Sequence, residues 1–107
     1  MQGFQITFYT QQDRVHDNTP LAHWLLEEAK RIGIRGATLS GSIEGLGHDG
    51  QTHSASWFDF SDQPIQLTLI VTADEAEKVF SRIAQERIKI FYMKIPVEFG
   101  TLGEEVR

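Results

Sequence analysis

Residues 88–95 read Ile-Lys-Ile-Phe-Tyr-Met-Lys-Ile, a run of strand-forming side chains that is apolar on both of its alternations. Ile88, Ile90 and Tyr92 share one alternation; Phe91, Met93 and Ile95 share the other. A strand of this kind asks for an apolar cover on each face, so the chain must supply a second layer twice or borrow one. No other stretch restricts the fold as strongly.

The remaining segments define what covers are available. Phe4, Ile6 and Phe8 alternate with polar residues and predict a half-buried first strand over residues 4–10. A polar run over 11–18 follows, and then Thr19-Pro20 predicts a threonine cap with proline at the first helical position. Leu21, Trp24, Leu25, Ala29 and Ile32 recur at helical spacing, while Glu27, Glu28, Lys30 and Arg31 are expected to fall largely elsewhere. Gly33 offers the left-handed stop. Ala37, Leu39 and Ile43 predict a second strand with a bend or close contact at Gly41, and Ile65, Leu67, Leu69 and Val71 a third. Thr72-Ala73-Asp74-Glu75 is a capping-box pattern opening a helix whose buried stripe is Ala76, Val79, Phe80 and Ile83. Residues 88–95 then form the fourth strand, joined to that helix by 85–87.

The order β-α-β-β-α-β predicts an α+β, ferredoxin-like sandwich: a four-stranded antiparallel sheet with both helices on one face. Two helices cover one face only. The second apolar alternation of the last strand therefore calls for another copy of the chain, and oligomerisation is the expected remedy.

At 107 residues, the chain is expected to be a single domain over 1–107, with residues 101–107 as a frayed tail. Its formal net charge of −5 opposes binding to nucleic-acid phosphates. No window is long and apolar enough to enter a bilayer directly and the N-terminus has no signal-peptide pattern, so a cytoplasmic location is expected. The absence of cysteine excludes disulfides, thiolate metal sites and cysteine nucleophiles.

Function has to be sought in residues 44–56, which are polar and rich in glycine (Gly45, Gly47, Gly50) and predict a long mobile loop. Trp57, Phe58 and Phe60 follow it and are expected to extend the hairpin and pack on a neighbouring subunit. The segment from Gly33 to Thr38, its continuation through Gly41-Ser42-Ile43-Glu44-Gly45-Leu46-Gly47 and His53-Ser54, Asp62-Gln63-Pro64-Ile65, and the stretch from Phe91 to Gly100 together resemble a PII-like bacterial family, domain-of-unknown-function family 190. That family is related in fold to the nitrogen regulatory PII signal proteins. The resemblance implies a homotrimer, and it makes Gly36 with Thr38, and Gly45 with Gly47, similar to PII positions that contact an adenine nucleotide in the cleft between subunits. It also implies that residues of the loop, among them Glu44, His48, Asp49 and His53, dock on a protein partner such as a membrane transporter or an enzyme.

Glycines let backbone amides approach phosphate oxygens, Thr38 offers a hydroxyl, and Lys94 is placed to meet an anion at a subunit boundary. Two departures from the PII pattern leave room for a smaller or different ligand than a triphosphate. No glycine-rich phosphate loop stands between the second helix and the last strand, and 96–100 replaces the paired arginines.

The alternative is a divalent-metal module of the cation-tolerance type using His48 and His53, with His16 and Asp17 as a further imidazole–carboxylate pair. His23 is expected at the surface of the first helix. No nucleophile–base pair or nucleophile elbow stands out, so the chain is expected not to be an enzyme.

Overall fold

The computed structural model describes residues 1–41, 44–46, 52–54 and 64–103. Its elements are β1 (Gln2–Gln11), β2 (Val15–His16), β3 (Thr19–Pro20), α1 (Leu21–Ile32), β4 (Gly36–Gly41), β5 (Glu44–Leu46), β6 (Thr52–Ser54), β7 (Pro64–Val71), α2 (Ala73–Gln85) and β8 (Phe91–Glu98). The four long strands form an antiparallel sheet in the order β4-β7-β1-β8, and this is the ferredoxin-like arrangement expected from the order of segments.

Register shows how alternation builds the core. Phe4 pairs with Val71, Ile6 with Leu69 and Phe8 with Leu67, while Ala37 and Leu39 of β4 stand opposite Leu69 and Leu67. These side chains share the face that meets Leu21, Leu25 and Ala29 of α1 and Ala76, Val79 and Ile83 of α2 in one buried cluster. Phe80 packs edge-on against Phe8, 6.1 Å between centroids, and remains half-buried.

Local chemistry sets the helix ends. Gly33 closes α1 at φ 97°, and its amide donates to the carbonyls of Ala29 and Lys30. Ile34 also donates to Ala29, so the left-handed residue terminates the helix in a Schellman-like turn. At α2 both halves of the capping box form: the Glu75 amide donates to Thr72 Oγ1 at 3.2 Å and the Thr72 amide to Glu75 Oε1 at 2.9 Å. The start of α1 differs from expectation. Pro20 itself occupies the N-cap position and no side chain caps the helix. Thr19 is instead consumed by a hairpin, in which Val15 pairs with Pro20 and His16 with Thr19 around Asp17 and Asn18 at φ 51° and 62°. Two successive left-handed residues are what a tight two-residue hairpin turn requires, and Asp and Asn tolerate them best.

Two further expectations are corrected. Glu28 lies on the buried side of α1 at 6% exposure, because it is one turn beyond Leu25 and can reach Arg82. The last strand begins three residues later than the pattern suggests: the Arg87 and Ile88 amides bond back to Ala84 and Ile83, Arg87 turns the chain at φ 56°, and Ile88 and Ile90 pack on the core as a link. The strand then continues through Pro96, which its edge position tolerates. Phe91, Tyr92, Met93 and Ile95 of β8 are exposed in one chain, so the second layer that this strand asks for is not supplied by the described residues.

Of the loop over 44–56, the described residues form a short ladder, with Glu44 opposite Ser54, Gly45 opposite His53 and Leu46 opposite Thr52. The expectations placed on Gly47, Gly50, the aromatic residues 57–60 and the end of the tail at 104–107 lie outside the described residues.

Candidate functional site

Among the described residues, one face of the sheet is packed on the helices and the other has no layer over it. Three rows cross the uncovered face from β4 to β8: Ser40, Gln66, Tyr9, Phe91; Thr38, Thr68, Thr7, Met93; and Gly36, Ile70, Gln5, Ile95. The β4 side is polar and the β8 side apolar. Thr7 and Thr68 bond through their hydroxyls at 3.3 Å, and Tyr9 lies against Phe91 with centroids 5.6 Å apart.

Thr38, exposed on β4, is at one edge of this face. Lys94 is at the other edge of the sheet and on the opposite face, where its register partner is the core residue Ile6. Its ammonium sits 4.2 Å from the Phe4 ring centroid and 5.6 Å from that of Phe80, a cation–π arrangement that holds the charge at the rim of the sandwich. Three strand spacings, about 14 Å, separate the strands carrying Thr38 and Lys94. A single chain therefore does not bring these two residues to one ligand.

Gly36 has a packing role of its own. A Cβ at this position would stand 3.0 Å from Ile70 Cβ across the ladder, so a side chain there requires β7 to give way. Glu44, Gly45 and His53 fall in the β5–β6 ladder, with Gly45 and His53 directly paired. Gly47, His48 and Asp49 lie outside the described residues, and with His48 one half of the histidine pair expected to hold a metal. His23 is exposed on α1, as expected.

A second group of polar residues gathers on the helix side. His16 Nε2 lies 2.9 Å from Glu86 Oε1 and 3.5 Å from Asp17 Oδ2. Arg82 donates through Nη1 to Glu86 Oε2 at 2.7 Å and through Nε to Glu28 Oε1 at 2.8 Å. Trp24 is the floor: the His16 ring meets it edge-on at 4.8 Å, and the Arg82 guanidinium lies 5.2 Å from its centroid. The hydrogen bond from Arg82, and then that from His16, holds the Glu86 carboxyl below the usual glutamate range. Among the described residues, His16, Asp17 and Glu86 have donor atoms that all lie within 4.8 Å of one another. Glu86, Arg82 and Trp24 were not singled out as site residues from sequence. They lie on different elements from His16, and no short motif joins them.

Among the described residues no helix is long and apolar enough to cross a membrane. Residues 3–92 match the family model DUF190, described as an uncharacterized ACR. No curated protein matches the sequence. Among solved structures, the chain is similar to a protein from Thermus thermophilus described as PII-like and signalling, with 22% identity, TM-score 0.66, and coverage of 90% of this chain and 87% of that one. It is also similar to CPII, a nitrogen regulatory PII-like protein from Thiomonas intermedia K12 bound to ADP, AMP and bicarbonate, with 14% identity, TM-score 0.67, and coverage of 94% and 91%. The apo form of CPII matches with 15% identity, TM-score 0.54, and coverage of 91% and 92%. These likenesses give the chain a PII-like fold.

Proposed function

The chain belongs to the DUF190 family, and from that premise we propose that it is a PII-like regulatory protein that works as a homotrimer. In this reading a small anionic ligand, an adenine nucleotide, binds in the cleft between subunits, and the segment over 44–56 carries the signal to a protein partner, an enzyme or a membrane transporter. The chain itself performs no catalysis.

The observation that carries the proposal is the pair of sheet edges. Thr38 on β4 and Lys94 on β8 are the two candidates for ligand contact through a described side chain, and they stand on opposite edges and opposite faces. A cleft between copies, with the β4 edge of one chain beside the β8 edge of the next, makes a site from both. Gly45, in the ladder that opens the loop, and Gly47 beyond it would bring backbone amides to the phosphate. Support also comes from CPII, whose bound ADP and AMP are smaller than a triphosphate. The two departures from the PII pattern noted above, the missing phosphate loop and arginine pair, fit the same preference.

Calorimetric titration of the full chain with AMP, ADP and ATP, with and without bicarbonate, tests the reading. Expected are one site per chain, AMP or ADP preferred over ATP, and at least tenfold weaker binding in both Thr38→Ala and Lys94→Gln. A saturating nucleotide at a hundred times its Kd should also stabilise the fold by about 2.7 kcal/mol. Absence of binding for all three nucleotides at millimolar concentration refutes the ligand, and binding untouched by either substitution refutes the placement.

A further inference from the structure

We propose that His16, Asp17 and Glu86 bind one divalent first-row transition-metal ion through an imidazole nitrogen and two carboxylate oxygens. The site lies on the helix side of the sandwich and is independent of the nucleotide reading.

The first argument is proton arithmetic at one atom. Nε2 of His16 carries at most one proton, yet two carboxylate oxygens converge on it, Glu86 Oε1 at 2.9 Å and Asp17 Oδ2 at 3.5 Å. A single N–H serves Glu86, and Asp17, 72% accessible, is left to water at the same atom. One cation between the three atoms satisfies both acids and the imidazole lone pair together. Metal–ligand bonds of about 2.0–2.1 Å place neighbouring donors of a tetrahedral site about 3.3 Å apart, close to the two spacings at His16 Nε2, and the two carboxylates, within 4.8 Å of each other, draw together around the ion.

The second argument is that the donors are held from outside. His16 and Asp17 belong to the β2–β3 hairpin, whose left-handed pair at Asp17 and Asn18 fixes the turn, and the Leu21 amide ties its base to the Arg14 carbonyl at 2.8 Å. Trp24 sets the plane of the imidazole. Glu86 follows the last turn of α2, and its Oε2 is oriented by Arg82, which is itself clamped by Glu28. Carboxylate ligands are commonly oriented by an outer hydrogen-bond partner, as Glu86 Oε2 is by Arg82. Asp17 is exposed, with its side chain 72% accessible, while the Glu86 and His16 side chains are at 28% and 19%. The site is thus open on one side, where water can complete the coordination. One nitrogen and two oxygens, with no thiolate in the chain, suit zinc, manganese, cobalt or nickel rather than monovalent copper.

The test is calorimetric titration of the chelator-treated full chain with Zn2+, repeated with Co2+ to read the ligand field by visible absorption. One equivalent per chain should bind to the wild type and equally to the His48→Ala/His53→Ala double variant. Both Asp17→Asn and His16→Ala should weaken binding at least tenfold. Asparagine tolerates the left-handed backbone at position 17 as aspartate does, so the hairpin is kept while the carboxylate is lost, which circular dichroism in chelator checks. No binding to the wild type, unchanged affinity in either single variant, or loss in the His48/His53 double variant overturns the proposal.

Discussion

Replacing Met93 by glutamate puts the proposed trimer to a quantitative test. Phe91, Met93 and Ile95 present 58%, 39% and 40% of their surfaces on the uncovered face of one chain. Full burial of a side chain of this size contributes about 1.5–3 kcal/mol. Covering the exposed half of three such side chains therefore contributes roughly 2–4 kcal/mol per chain before the costs of association. Met93 stands in the middle row, opposite Thr7 and flanked by the rows of Phe91 and Ile95, so a subunit contact on this face cannot avoid it. Met93→Glu removes about 1 kcal/mol of that burial per chain, close to 3 kcal/mol for three chains, and adds the cost of desolvating three carboxylates. The trimer association constant should fall at least about a hundredfold. Sedimentation equilibrium over a range of concentrations reads the change, and far-UV circular dichroism shows that the exposed substitution leaves the chain folded. A folded variant that assembles with the wild-type constant, or a wild type that is monomeric at every concentration, refutes the reasoning.

Other consequences are more local. At fixed protein concentration, Thr72→Ala should lower stability by about 1 kcal/mol, or roughly 4 °C in Tm, and the double variant with Glu75→Ala should lose less than the sum of the single losses because the two bonds form one capping box; additive losses in thermal melts would sink this account. Gly33→Ala forces a Cβ into φ 97° and should cost about 1 kcal/mol although nothing lies within 4 Å to clash with it, so an unchanged Tm would mean that the α1 terminus relaxes freely. The Glu86 carboxyl titrates lower in the folded than in the unfolded chain, so its stabilising contribution is complete above the ordinary glutamate range and is lost as pH falls through the lowered folded value. In chelator, the Tm gap between wild type and Glu86→Gln should thus be widest near neutrality and close in acid; a gap independent of pH contradicts the Arg82 and His16 bonds as its cause.

What the sequence made legible follows the range of the interactions involved. Alternation at Phe4, Ile6 and Phe8 and helical spacing from Ala76 to Ile83 report burial of one face, and the sheet and α2 came out accordingly. The capping box and Gly33 are closed within four residues, so a local pattern suffices to read them. The failures sit where a distant partner decides. Glu28 reads as a surface charge until Arg82, 54 residues later, is beside it. Thr19 reads as a cap until His16 claims it as a hairpin partner. Ile88 and Ile90 satisfy a strand pattern equally well as a link packed on the core, and only the amide bonds back to α2 distinguish the two.

The candidate sites extend the same logic beyond one chain. Thr38 and Lys94 could be nominated by type and by resemblance, but no spacing along 107 residues expresses that they occupy opposite edges of a sheet. Their separation becomes informative only with the exposed apolar residues Phe91, Met93 and Ile95 of the strand that carries Lys94, because a face that is costly to leave uncovered gives a neighbouring chain a reason to be there. The His16 cluster is assembled within the chain by a contact spanning 70 residues, and its histidine drew attention only through its neighbour Asp17. Glu86 follows a helix between Gln85 and Arg87 and looks like a solvated charge. The feature that sets it apart is geometric: one oxygen committed to Arg82 and the other to an imidazole already facing a second carboxylate. Both sites thus depend on residues whose chemistry is ordinary in isolation and is made specific by strand order and helix placement.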